Sequence, residues 1–535
     1  MIPDLSDDAV RTLPAVLSAW AQATPNATFL MHGDAKESFA TTERAVNRLA
    51  NGLRDIGIEQ GDRVAIVMGS RADYVRLTLA VNRIGAIWVP INPDYRGEWL
   101  SEAIRASMPA ALIVEAPYTA RVAEVIDDIG VERVVVLGEA GPLVSRASDF
   151  AAIENASDAM PAGVSVAPGD TAAILWTSGT TGKPKGVMQS HNAWISGAEY
   201  GNRNWQTRRS DVGYNCLPLY NSAAWCATIF RALVAGIPVG IDPAFSVSGF
   251  WDRIRHYGAT QTMTLGAMHV FLFNAPERSD DADSPLRVAG MTPLPEHMIE
   301  PMRTRFGLER IVQGYGQSEA MTLLSRSSEP GQSPKPNCLG TPNPDFELAL
   351  FDEEGKEVSP GITGEFVVRP KRPHLIFNGY FNNPQATEGA FADGWYHTGD
   401  LGMRDTDGDW FFVDRKKDYI RYKGRSVSSF QVEHVASRYP GLHQCAAYGV
   451  PSAELESEHE IKLDVVVKAG ETVEPEALAR FINDNAPHFI VPRFIELVDT
   501  LPYTPTNKIE KYKLRARGIG EHAWDRLATG FELAR

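Results

Sequence analysis

Residues 171–186 read Thr-Ala-Ala-Ile-Leu-Trp-Thr-Ser-Gly-Thr-Thr-Gly-Lys-Pro-Lys-Gly, an apolar run that stops abruptly in hydroxyls, glycines and lysines. The apolar half predicts a buried strand over Ala172–Trp176. Glycines directly after such a strand let backbone N–H groups converge, and Thr and Lys add donors and charge, so the loop is built to wrap an anion. A nucleotide polyphosphate is the cargo this chemistry fits. A flexible Gly/Ser/Thr linker is the plainer alternative, but linkers seldom follow a buried strand or carry Lys183-Pro-Lys185. Spacing excludes the G-x-x-x-x-G-K-[ST] loop. Pro184 follows Gly182-Lys183 where a magnesium-holding hydroxyl would stand, and Thr177 occupies the place of the first glycine.

Around this loop, helical and strand periodicities alternate. Leu13–Ala23 and Thr41–Ile56 read as helices, Arg63–Met68 as a strand, Val75–Gly85 as a helix and Ala86–Ile91 as a strand. Trp99–Ala106 follows as a helix, then Ala110–Glu115 and Val131–Leu137 as strands. The pattern predicts an α/β architecture with layered parallel sheets. From about Gly340 to Phe412 short strands punctuated by Gly, Pro, Asp and Asn predict a small β-rich part. The charged stretch Asp414-Arg-Lys-Lys-Asp418 then separates it from a fresh βα pattern, which places a domain boundary there. The expected domains are 1–415 and 416–535, the second a compact α+β unit with strands near Gln444–Val450, Ile461–Val467 and Arg493–Val498 and a helix at Pro475–Asn485.

At 535 residues, 44% apolar and 22% charged, the chain has ample core for two to four domains. Its net charge of -15 argues against nucleic acid or an anionic membrane as the main partner. Cys216, Cys226, Cys338 and Cys445 are scattered without metal spacing, as free thiols in a reducing compartment would be. Asp4, Asp7 and Asp8 precede any apolar stretch, the wrong charge order for a signal peptide, and no uncharged run reaches spanning length. A cytoplasmic location is the expectation.

Four further islands follow the first in order: Gln313-Gly-Tyr-Gly-Gln-Ser-Glu319, Trp395-Tyr-His-Thr-Gly-Asp400, Asp414-Arg-Lys-Lys-Asp-Tyr-Ile-Arg-Tyr-Lys-Gly424 and Pro502-Tyr-Thr-Pro-Thr-Asn-Lys-Ile-Glu-Lys511. Together they resemble the adenylate-forming superfamily of acyl-CoA synthetases, firefly luciferase and peptide-synthetase adenylation domains, from roughly Leu13 to Arg517. The resemblance implies a large N-terminal domain of layered α/β sheets with a small β-barrel-like part, and a small mobile α+β C-terminal domain. It implies that a carboxylate is joined to the α-phosphate of ATP with release of pyrophosphate, and the acyl group then passed to a thiol. Two anions must meet, and at ~4 Å each unit-charge repulsion is worth roughly 4 kcal/mol at an effective dielectric near 20, so cations belong at the reacting centre.

By motif, Thr177, Ser178, Gly179, Thr180, Thr181, Gly182 and Lys185 would cradle the phosphates, with Ser318 in the nucleotide site. Glu319, with Thr181, would hold magnesium. Tyr315 would lie against adenine between Gly314 and Gly316, whose missing side chains would let the base approach. Asp400 would accept the ribose hydroxyls, with Arg415 beside it. Lys508 would span the attacking carboxylate and the α-phosphate as charge develops. Lys417 takes the hinge position about which the C-terminal domain rotates, and Arg421, Lys423 and Gly424 would line the coenzyme A tunnel.

The chain departs from the family at Asn221, where a gating histidine is usual, at Met291, which would intrude on the acyl side, and at Asn507, where glycine is common. Tyr220, Asn221, Ala224 and Trp225 would wall the acyl pocket with Gly266, Met268, Met291 and Met321. Small and adaptable apolar side chains there favour a bulky apolar acid, whether fatty, aryl or terpenoid-like. The Phe489-Ile-Val-Pro-Arg-Phe-Ile-Glu stretch also looks like the carnitine and crotonobetaine ligase branch. An amino-acid-selecting domain needs a pocket carboxylate, which Tyr220-Asn221-Ser222 lacks. Luciferase-like oxygenation fits worse, since that family's second-stage lysine position holds Arg421, and a noncatalytic protein would have lost Lys508 or Glu319. The reading is therefore an acid–CoA ligase using ATP, magnesium and coenzyme A. A carrier protein is a less favoured acceptor and a homodimer stays open.

Overall fold

The computed structural model describes every residue except 1–3, 8–9, 178–183, 330–334, 336–337, 417, 419, 423–424, 453–458, 504–507, 532 and 534–535. The chain divides into two units, one built from Met1–Thr177, Pro184–Glu347 and Arg369–Gly394, the other from Leu348–Val368 and Trp395–Arg535. The architecture is mixed α/β, with layered sheets in the large N-terminal part and a smaller α+β part at the C-terminal end.

In the first unit a 7-stranded sheet runs Ala147–Asp149, Arg133–Leu137, Ala111–Glu115, Arg63–Val67, Ile87–Pro90, Thr171–Thr177, Lys185–Ser190. Its strands are parallel until the last pair, where Thr171–Thr177 meets Lys185–Ser190 antiparallel. Continuous apolar runs such as Val64–Val67 suit strands covered on both faces. The helix Ala72–Arg83 carries the crossover between Arg63–Val67 and Ile87–Pro90. A second sheet joins Leu324–Ser328, Arg310–Tyr315, Val288–Thr292, Gln261–Leu265, Gly213–Asn215 and Val239–Ile241 in that order. Thr12 and Ser38 start the helices Leu13–Ala23 and Phe39–Asp55 by accepting backbone N–H bonds from Ala15 and Thr41.

The second unit holds the antiparallel strands Trp395–Arg404 and Trp410–Arg415 and the strand Thr363–Pro370 as far as Val368. The hairpin Ile420–Tyr422 and Arg425–Val427 follows. A 4-stranded sheet of Leu442–Pro451, His459–Val467, Phe494–Leu497 and Trp524–Asp525 completes it. Helices Ser429–Ala436 and Pro475–Asn485 pack on this sheet through Val432, Val435, Leu478 and Ile482. Lys462, fully buried on the central strand, binds Asp464 Oδ1 at 3.1 Å, Glu496 Oε2 and the Gly518 carbonyl at 2.8 Å. Arg517 and the Tyr448 phenol reach Asp464 Oδ2 at 2.7 and 2.9 Å. This network fastens the end of the helix Lys511–Arg517, which follows Lys508, to the sheet.

Candidate active site

Thr177 ends one strand and Lys185 begins the next, and the two are cross-strand partners. The Thr177 hydroxyl donates to the Lys185 carbonyl at 3.3 Å. Ser178, Gly179, Thr180, Thr181 and Gly182, which join them, lie outside the described residues, as do Lys417, Lys423, Gly424 and Asn507.

The Gln313–Glu319 island runs from the end of the strand Arg310–Tyr315 into a tight turn in which Gln317 and Ala320 exchange backbone hydrogen bonds at 3.0 and 3.2 Å. A Cβ on Gly316 would lie 2.0 Å from the Met321 carbonyl oxygen. The glycine is therefore required by the chain's own close approach, a different constraint from room for an adenine. Gly314 meets a milder one, with the Leu324 carbonyl 3.2 Å from where its Cβ would stand. Tyr315 is half-buried, and Ser318 offers its carbonyl to the amide of the buried Gln189.

Glu319 and Lys185 are brought together by residues that the sequence reading did not single out. The segment 377–381 lies along the strand Lys185–Ser190. Phe381 N–H donates to the Gly186 carbonyl at 2.7 Å, Met188 N–H to the Gly379 carbonyl at 3.0 Å, and Asn378 N–H to the Met188 carbonyl at 2.7 Å. On its other side Phe377 N–H donates to the Glu319 carbonyl at 2.8 Å. The Tyr380 phenol donates to Glu319 Oε1 at 2.9 Å, and the Lys185 ammonium stands 4.6 Å from the Tyr380 ring centroid. An aromatic directly after a glycine, Gly379-Tyr380, was the available signal, and alone it is weak.

In the second unit, strand register sets Asp400 opposite Arg415, with Arg415 Nε 3.9 Å from Asp400 Oδ1. The Asp400 amide donates to the Thr398 hydroxyl at 3.1 Å. The preceding turn is organised by the buried Glu365, which accepts from Gly399 N–H at 3.0 Å, His397 Nδ1 at 3.1 Å and Lys416 Nζ at 2.9 Å. Burial pushes the Glu365 carboxyl up, but bonds from Lys416, His397 and the Gly399 amide outweigh it and hold the group below its ordinary value of 4.5. The ionised form is thus favoured by folding, and its stabilisation is present above pH 4.5 and lost as pH falls through the lower folded value. Glu365→Gln is expected to lower the melting midpoint at neutral pH and to flatten its acid-side decline, which thermal melts between about pH 3 and 7 would read.

Lys508 is exposed, one residue before the bridge between Tyr503 and Ile509. Three residues on, Lys511 binds Ser429 Oγ at 2.6 Å and Glu433 Oε1 at 2.8 Å, anchoring the segment on the helix Ser429–Ala436. Arg421 lies in the hairpin strand Ile420–Tyr422.

The expected acyl-pocket residues differ in burial. Ala224 and Trp225 are fully buried, and the indole packs on Trp88 at 4.7 Å and Phe230 at 5.1 Å while donating to the Leu219 carbonyl. Beside them in sequence Ser222, Ala223, Cys226 and Ala227 are partly exposed. Met291 is 2% exposed within the core cluster that includes Tyr214, Phe250 and Met302. Strand residues alternate faces, and Gly290 takes the opposite side, against Met263 and Trp205. Met268 and Met321 keep partial exposure, and Met321 flanks Gly197 together with Cys226. Gly266, at φ 51° and ψ -115°, holds a backbone that only glycine adopts freely before the helix Ala267–Asn274. Asn221 caps its own helix, its side chain accepting Ala223 N–H at 3.0 Å. Burial, with Asp94 and Tyr95 nearby, pushes the Tyr220 phenol up.

The model of the AMP-binding enzyme family matches residues 17–381, and that of the AMP-binding enzyme C-terminal domain matches 431–508. The chain belongs to the AMP-binding enzyme family. It is an adenylate-forming enzyme of the acid–CoA ligase branch. A crotonobetaine/carnitine–CoA ligase of Citrobacter koseri is 29% identical over 486 residues, covering 89% of this chain and 93% of the relative. ATP-bound MatB from Rhodopseudomonas palustris superimposes with a TM-score of 0.82 at 25% identity, over 95% of this chain and 98% of that one. The anthranilate CoA ligase AuaEII, in complex with anthranoyl-AMP, shares the fold with a TM-score of 0.83 at 22% identity, over 97% and 98%. Among the described residues no helix of this adenylate-forming enzyme is long and apolar enough to cross a membrane.

Proposed function

We propose that this enzyme is an AMP-forming acyl-CoA synthetase acting on a bulky, apolar carboxylic acid. A carboxylate oxygen attacks the α-phosphorus of ATP, the bond to the β-phosphate breaks and pyrophosphate leaves. Coenzyme A sulfur then attacks the acyl carbon, AMP leaves, and the thiol proton passes to solvent. The observation that carries this reading is the meeting of Lys185 and Glu319 at Tyr380, a phosphate-seeking cation and a hard-oxygen anion joined from distant islands. Family membership and the CoA-ligase relatives support it.

The donor set fits magnesium, which takes one or two carboxylate oxygens together with substrate phosphates. Glu319 would hold it with Thr181, and the ion would neutralise phosphate charge. Thr177, Lys185 and the residues between them would bind the phosphates, Tyr315 the adenine, and Asp400 with Arg415 the ribose. Lys508 would meet the carboxylate and α-phosphate. A hinge at Lys417, between domains 1–415 and 416–535, would then present Arg421, Lys423 and Gly424 to coenzyme A. The partly exposed Ser222, Ala223, Cys226 and Met321 favour an apolar acid, while the crotonobetaine/carnitine relatives make a betaine the second reading. We place the enzyme in the cytoplasm, with homodimerisation and loading of a carrier protein as further readings.

The test is pyrophosphate release with ATP and magnesium across fatty, aryl, terpenoid and betaine acids, with and without coenzyme A, the products weighed by mass spectrometry. Acid-dependent release yielding acyl-CoA is expected. Acyl-AMP that accumulates despite coenzyme A would move the acceptor to a carrier protein, and release from no acid would sink the ligase reading.

A further inference from the structure

Tyr380 touches both charges of the nucleotide site, yet belongs to none of the sequence islands that announce it. Its phenol reaches Glu319 Oε1 at 2.9 Å and its ring lies 4.6 Å from the Lys185 ammonium. The residue is 7% exposed and edges against Phe377 with ring centroids 4.9 Å apart. Its backbone N–H donates to the Thr387 hydroxyl at 2.8 Å, and it bridges Val187 on the strand that begins at Lys185. Backbone and ring are therefore both fixed, and the phenol can serve as a reference point for the groups around it.

The two contacts act through different parts of one side chain. An O–H donated to a carboxylate is charge-assisted and roughly twice as strong as a neutral bond, so it fixes the orientation of the carboxylate. The ring face attracts the ammonium through its quadrupole, which needs no hydroxyl. We infer that Tyr380 is a positioning residue that sets Glu319 for magnesium and Lys185 for the ATP phosphates, holding the two in register on one rigid side chain. The inference rests on reading this site as one for magnesium and ATP. It assigns the hydroxyl to the metal and the ring to the phosphates, a division that packing alone would not produce.

The division can be measured without turnover. ATP binding is followed by titration calorimetry, with and without magnesium, for the wild type, Tyr380→Phe and Tyr380→Leu, beside their melting midpoints. Tyr380→Phe is expected to leave metal-free ATP binding within about twofold of wild type while raising the magnesium needed for half-maximal effect about tenfold, as loss of an outer hydrogen bond to a metal ligand does. Tyr380→Leu is expected to weaken metal-free ATP as well. In a Glu319→Gln background, Tyr380→Phe should add nothing to the magnesium requirement, because its route to the metal is gone. Glu319→Gln alone leaves the aromatic core untouched, and keeps the metal contrast readable where a Tyr380 variant folds poorly.

Wild-type magnesium dependence in Tyr380→Phe would overturn the inference. So would equal weakening of metal-free and metal-bound ATP with a lowered melting midpoint, the mark of a packing role. A wild type that binds no magnesium–ATP would overturn the site reading and the inference with it.

Discussion

Lys508→Ala is expected to slow acyl-AMP formation by about 10²–10³-fold, the usual cost of removing one preorganised group from developing transition-state charge. Transfer to coenzyme A from preformed acyl-AMP should stay near wild type, since that step forms no bond at phosphorus. The side chain is exposed, so its removal leaves no cavity and the melting midpoint should not move. Pyrophosphate release and single-turnover thioester formation, measured on the same preparation, separate the two steps. Equal loss of both would remove the proposed role. The anchoring of Lys511 on Ser429 and Glu433 makes Lys508 a short reach from a fixed point.

Lys462→Ala is the largest stability effect expected. The ammonium is fully buried among Asp464, Glu496 and the Gly518 carbonyl, and its loss leaves carboxylates without their principal cation. Removing one partner of a buried ion pair costs about 3–5 kcal/mol. Asp464 is already pushed up by burial, with Lys462 the foremost charge opposing that push, so in the variant it would take up a proton more readily. Because Gly518 ends the helix Lys511–Arg517, the damage should spread toward Lys508. Denaturant unfolding should show a C-terminal transition at lower concentration. An unchanged midpoint would mean that water replaces the ammonium without cost, and the network would be decorative.

Much of the framework was legible because local signals coincide with the elements. Leu13–Ala23 and Pro475–Asn485 fold over the residues their periodicity marks, where a Thr12 cap and a proline at the first turn agree with the apolar spacing. The strand Lys185–Ser190 escaped notice because Lys185, Gln189 and Ser190 break its apolar pattern; its order comes from pairing with Thr171–Thr177 and with 378–381. Trp225 and Met291 were singled out by the resemblance alone. Their burial depends on distant partners such as Trp88 and Phe250, which no local pattern reveals. For the site, the motifs named the chemical groups. They said nothing of Tyr380 or Glu365, whose roles arise from contacts across long stretches of chain.

The late position of the segment 377–381 has a consequence for synthesis. The strand Lys185–Ser190 lies at the end of its sheet, and the backbone groups that meet 378–381 have no partner until that segment leaves the ribosome. At bacterial-like speeds of about 5–20 residues per second the wait is on the order of 10–40 s. For that interval an apolar sheet shows a bare edge, the surface on which nascent chains join one another. A sheet that formed before residue 377 was made would keep that edge bare, and slower decoding before codon 377 would lengthen its exposure.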